Sequence, residues 1–177
     1  MFAYCNNNPV RHIDSLGLFP LRAARDLLDK WVFEDEDEYY FDERSKITKS
    51  LKKSKKMETI IQNAIEAAKD GQPVTSGEGE FTASDDGWDL YLSTQHFSYT
   101  ITVEKQERTI GLFKKRDQVR YVAVVEVSDT YNFDKIREWN GIGNILNNGA
   151  YIAHGFGFGT DYEWSATYTY TTQWEDV

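Results

Sequence analysis

Apolar positions recur along this chain with two different periods, and the change of period orders its elements. Met57, Ile60, Ile61, Ala64, Ile65 and Ala68 follow the i, i+3, i+4, i+7 spacing of one helical face. Gly71 and Pro73 close the pattern, since glycine accepts a left-handed helix end and proline cannot continue the ladder. Beyond this helix the period is two. Trp88, Leu90 and Leu92 alternate with polar neighbours, as do Tyr99, Ile101 and Val103, and then Trp164, Ala166, Tyr168 and Tyr170. Each set predicts a half-buried strand. Val119 to Val127 is apolar on both alternations near its middle, which predicts a central strand covered on both faces. Two short helices are also expected, one over 19–28 opened by Pro20 and one over 144–153. Gly155-Phe156-Gly157-Phe158-Gly159 reads as a tight helix-to-strand connection rather than a phosphate loop, because it lacks Gly-Lys-Ser/Thr and precedes a strand. The expected fold is a single α+β domain, a twisted antiparallel sheet with helices packed mainly on one side.

Charge narrows the partners. Twenty Lys and Arg stand against 29 Asp and Glu, a net charge of −9. A phosphate-backbone binder carries the opposite balance, so nucleic acid is an unfavoured partner. The basic patch is Ser45–Met57, with six lysines and no acid, next to an acidic run from Glu34 to Glu43. Neighbouring blocks of opposite sign suggest mutual neutralisation or a solvated face. Cys5 is the sole cysteine, which excludes an intrachain disulfide and a cysteine-based zinc site. No apolar run approaches the ~18 residues of a membrane-spanning helix, and no charged-then-apolar leader opens the chain.

The first eighteen residues read as two short extended pieces around an Asn-rich turn, with Pro9 holding its predecessor out of the helical region. Tyr4, Asn7, Asn8, Pro9, Val10, Asp14, Gly17 and Leu18 match in order and spacing the end of an Rhs/YD-repeat core, and the chain resembles the C-terminal end of an Rhs-type polymorphic toxin. That resemblance implies a division into a core remnant, 1–18, and a variable effector module, 19–177. It further implies an upstream β-rich shell and a cognate immunity protein as partners, and delivery out of a bacterial cell as part of a larger protein in interbacterial competition. It makes Asp14 one aspartate of a self-cleavage site and Leu18–Phe19 the cut bond. Ser15 stands where the family carries proline. Two carboxylates sharing a proton are needed to activate the attacking water, so Asp14 is expected to be inactive alone.

Within the module the richest cluster is Asp129-Thr130-Tyr131-Asn132-Phe133-Asp134, at the exit of the central strand. A rigid sheet fixes groups at a strand end, and two carboxylates five residues apart suit the orienting of water or the holding of a divalent metal. No cofactor is otherwise indicated. Asp129 and Tyr131 resemble the Asp-x-Tyr-Asp start of the colicin M motif, with Asn132 replacing the second aspartate and the following His-Arg pair missing. His154 is a candidate general base, and His96 reads as a polar residue of a hairpin turn. The competing reading is a strand end capped by Asx hydrogen bonds. Two function classes follow: an effector enzyme using Asp129, Asp134 and His154, such as a hydrolase of a cell-envelope precursor or nucleic acid, and a non-enzymatic binding module or orphan tip.

Overall fold

The computed structural model describes residues 27, 30–31, 37–82, 84–87, 90–91, 94, 96–111, 115–131 and 161–177. They form β1 (Glu38–Phe41), α1 (Lys46–Leu51), α2 (Lys55–Lys69), β2 (Val74–Glu80), β3 (His96–Ile110), β4 (Arg116–Tyr131), β5 (Tyr162–Thr171) and β6 (Glu175–Asp176). The strands make one sheet in the order β1-β5-β4-β3-β2, with β6 also on β4. The expected α+β architecture is present, and both helices pack on one face of the sheet. One feature departs from the expected antiparallel pattern: β1 pairs with β5 in parallel, Tyr39 opposite Trp164 and Phe41 opposite Ala166.

Helix α2 forms where its apolar period lies, and its ends show why it stops. Ser54 caps the N-terminus, its hydroxyl accepting from the Met57 amide at 3.1 Å. At the other end Gly71 takes φ of +90°. The Gln72 amide reaches back to the Ala67 carbonyl and the Gly71 amide to that of Ala68, a Schellman closure. The helix buries Met57, Ile61, Ala64 and Ile65. Ser45 caps α1, which buries Ile47 and Leu51. These side chains meet the inward phase of the strands: Ile101 and Val103 of β3, Ala123, Val125 and Val127 of β4, and Trp164, Ala166 and Tyr168 of β5. Leu27 and Trp31, both helical, join the same core.

Close packing at one sheet edge depends on glycine. Gly77 and Gly79 of β2 face Tyr99 and Phe97 in register. A Cβ at Gly79 would lie 2.3 Å from the Phe97 ring, so the aromatic ring occupies the space a side chain would take. At the other end of β4, β6 continues the edge begun by β5 with its register shifted by one residue, which marks a bulge at 172–174. Trp174 in that bulge lies against two guanidinium groups, Arg108 at 4.0 Å and Arg120 at 4.5 Å.

Several expectations are corrected. Leu90 and Tyr91 are helical rather than extended, with the Tyr91 amide donating to the Gly87 carbonyl and Thr94 to that of Leu90. Leu90 is nonetheless buried, so its apolar character reports burial and not period. His96 is the first residue of β3, not a turn residue. Strand β4 is central but covered on one face only, since Val124 is 39% exposed. The expected helix over 144–153, the Gly155–Gly159 stretch and most of 19–28 lie outside the described residues. No helix among the described residues is long and apolar enough to cross a membrane.

Candidate functional site

Strand β4 alternates Val125, Val127, Asp129 and Tyr131 on its inward face. The apolar phase therefore carries a carboxylate into the layer between sheet and helices. Across the strand pair Asp129 lies opposite Trp164, and Tyr131 lies opposite Tyr162. On the other side the Ser98–Ser128 pairing sets Phe97 of β3 beside the same level. This end of the inward face is aromatic. Tyr162 meets Tyr39 edge-on at 4.8 Å and Tyr131 at 5.5 Å. Phe97 stacks on Phe81 at 4.2 Å. The Tyr162 hydroxyl donates to the Leu27 carbonyl at 2.7 Å, holding the wall in place.

The consequences for Asp129 are electrostatic. Burial disfavours its charged form, and its pKa is pushed up to about 6. The Thr130 amide donates to its Oδ1 at 2.8 Å and pulls in the opposite direction, as does the positive field of His96, but neither offsets the loss of water. Trp164, its cross-strand neighbour, is buried with no partner for Nε1 among the described residues. The Tyr168 hydroxyl and the Thr94 Oγ1 are likewise buried and unpaired among the described residues. Burial also pushes the Tyr131 and Tyr168 phenols up, so neither is an anionic base near neutral pH. A carboxyl group that exchanges its proton between pH 5 and 7, on a strand end walled by aromatic rings, is suited to proton transfer.

Of the residues expected from sequence to carry chemistry, Asp129 is the one the structure places. Asp14, Asp134 and His154 lie outside the described residues. His96 is exposed at the start of β3 and acts on Asp129 through its field alone. No three His, Cys, Asp or Glu side chains converge as metal ligands among the described residues. The described part of the lysine block and its acidic neighbour supplies β1, α1 and the start of α2. Lys52 Nζ pairs with Glu43 at 3.0 Å and holds that carboxyl below its ordinary range, helped by the Thr169 amide donating to it.

A second carboxylate escaped sequence reasoning. Asp86, between β2 and β3, accepts from the Ser54 hydroxyl and from the Lys56 amide, while its other oxygen accepts from the Thr82 amide. It sits at the positive end of α2 and ties the helix start to the β2–β3 connection, a structural clamp. Its signal in the sequence is faint, because nothing local links position 86 to position 54. Asp129 was more legible: extending the alternation of Val125 and Val127 by two residues assigns it to the buried face. No protein-family model, no curated protein and no solved structure matches this chain.

Proposed function

We propose that residues 19–177 are the effector module of an Rhs-type polymorphic toxin, delivered by an upstream shell and acting in a rival bacterium, with Asp129 as its proton-transfer group. The observation that carries the site is the unfavourable placement of Asp129. A carboxylate set on the inward face beside Trp164, with its pKa pushed to about 6, destabilises the fold at neutral pH instead of supporting it. Groups that cost stability in this manner cluster where chemistry is done. The delivery context is supported by the ordered motif through Tyr4, Asn8, Pro9, Asp14, Gly17 and Leu18. The reaction class this favours is hydrolysis, with the carboxyl donating to a leaving group when protonated or activating water when ionised. The acidic net charge disfavours nucleic acid as its substrate.

Inducible expression of residues 19–177 in the bacterial cytoplasm and, behind an export signal, in the periplasm tests the proposal. Growth arrest in one compartment that is lost in Asp129→Asn supports it, provided the variant accumulates and folds. Arrest that persists in Asp129→Asn overturns the site assignment. No arrest in either compartment overturns the effector reading and favours a binding module, for which the sheet face opposite the helices is the available surface.

A further inference from the structure

The outward face of the sheet is open across five strands. Its central row runs Tyr40, Ser165, Ser128, Ser98 and Glu78, and the next runs Thr167, Glu126, Thr100 and Ser76. Between these rows lies a concavity of about 190 Å³ lined by Tyr40, Ser98, Glu126, Ser128, Ser165 and Thr167. Tyr40 is 81% exposed, and no element of the described residues covers its ring. Glu126 has no cation paired with it among the described residues, and Glu38, Glu78, Glu80, Glu104 and Glu163 are exposed around the rim. Among the described outward-facing residues of these rungs there is no Lys or Arg, and His96 at the margin is the only basic group.

Around this concavity the described charge is acidic, while Arg108, Arg116 and Arg120 share the outward phase only toward the far end of the β3–β4 pair, where Arg108 and Arg120 lie against Trp174. The lysines of α1 and the start of α2, Lys46, Lys49, Lys52, Lys53, Lys55 and Lys56, all belong to the layer on the other face. Glu43, Glu58 and Glu66 share that layer, two of them paired with its lysines, whereas the carboxylates around the concavity have no lysine or arginine among them on these rungs. That sign repels phosphate backbones and anionic membranes, and it repels the same face of a second copy. What complements it is a cation that can lie flat on a tyrosine ring while donating to a carboxylate and to hydroxyl oxygens, the combination that suits a guanidinium group.

We propose that this face binds a cationic polypeptide segment, with an arginine side chain seated in the concavity between the Tyr40 ring and the Glu126 carboxylate. The hydroxyls of Ser98, Ser128, Ser165 and Thr167 supply acceptors for its remaining N–H donors, and the rim glutamates hold neighbouring basic residues. Nothing in this assignment depends on Asp129, which faces the opposite layer.

Titration of the full chain with a synthetic peptide of alternating arginine and glycine, at physiological salt, tests it by calorimetry and by backbone amide shifts. Saturable binding is expected, with shifts centred on Ser98, Glu126, Ser128 and Ser165. The exposed substitutions Tyr40→Ala and Glu126→Gln should each weaken it about three- to fivefold, and together about tenfold. The charge-matched control Glu58→Gln, on the exposed side of α2, should leave it unchanged. Equal weakening by the control would reduce the interaction to net charge and overturn the proposal. So would binding insensitive to both outward-face substitutions, or binding of a neutral oligosaccharide such as cellohexaose at this face in place of the peptide.

Discussion

The two halves of the inward sheet face solve the same burial problem with different chemistry. Under α2, Ile101, Val103, Ala123 and Val125 meet Met57, Ile61, Ala64 and Ile65, and that half is mainly aliphatic, with Tyr168 opposite Val125. Toward the end of β4 the layer becomes Phe97, Tyr131, Tyr162 and Trp164, with the Asp129 carboxyl among them and an unpaired indole nitrogen beside it. The first half is closely packed, and the Tyr168 hydroxyl opposite Val125 is its one buried polar atom without a partner among the described residues. The second holds the Asp129 carboxyl and the Trp164 indole N–H away from water without full compensation among the described residues, which costs stability. Favourable packing and costly polar burial are therefore placed toward opposite ends of one sheet.

The largest effect that would test this division lies in the aliphatic half. Ile65 is 2% exposed on the buried side of α2. Ile65→Ala should cost about 3 kcal/mol through lost transfer energy and the cavity left behind, with no dependence on pH between 4 and 8. Chemical denaturation at several pH values measures both. A cost under about 1 kcal/mol would mean that the helix layer collapses readily and that the half is not the rigid one.

Asp129 should show the opposite behaviour. Its folded pKa, about 6, lies above the ordinary value of 3.8. Between those values the folded chain keeps a proton that the unfolded chain has released, so stability falls as pH rises from about 4 to 6 and then levels off. The full fall amounts to roughly 3 kcal/mol by pH 8. Asparagine cannot ionise, so Asp129→Asn should match the parent at pH 4 and exceed it by up to that amount at pH 8. The difference between the two stability curves isolates this group from Glu43, whose lowered pKa acts in the other direction. Parallel curves would show that Asp129 is solvated in the fold and would dissolve the contrast between the halves.

The legibility of these features in the sequence follows from their range. Helix α2 carried its own period and stop within about twenty residues, and both were readable. Strands β3 and β5 announced themselves by alternation, and β4 by its apolar run. The Leu90 segment misled because five residues of alternation also satisfy a short helical turn, and its i to i−4 hydrogen bonds decide the matter. The parallel β1–β5 pairing was not readable: β1 is four residues inside an acidic run, and its partner lies more than a hundred residues away. The open side of β4 was hidden by Val122 and Val124, whose apolar character suggests cover that the fold does not provide. For Asp129 the strand end and the inward phase were readable, but the aromatic neighbour that desolvates it comes from register with Trp164. The acidic outward face likewise exists only once five strands are aligned.

The smallest predicted effect is the most discriminating. Trp164 is 2% exposed, packs edge-on against Phe41 at 6.1 Å, and buries an indole N–H with no partner among the described residues. Truncating a buried tryptophan to alanine typically costs about 3–5 kcal/mol. Trp164→Phe keeps an aromatic ring in the layer, so part of the packing survives. It also deletes the unpaired donor, whose desolvation costs about 1–3 kcal/mol. The loss from the vacated ring volume and the relief from removing the donor are of similar size, so the net change should stay within about 1 kcal/mol. The vacancy also loosens the aromatic wall next to Asp129 and admits water, which should lower its pKa and shift the pH-dependent fall in stability downward. A loss above about 2 kcal/mol would show that the indole nitrogen is satisfied in the folded protein. Tryptophan would then be a structural anchor like Ile65, and the two halves of the face would differ in shape rather than in purpose.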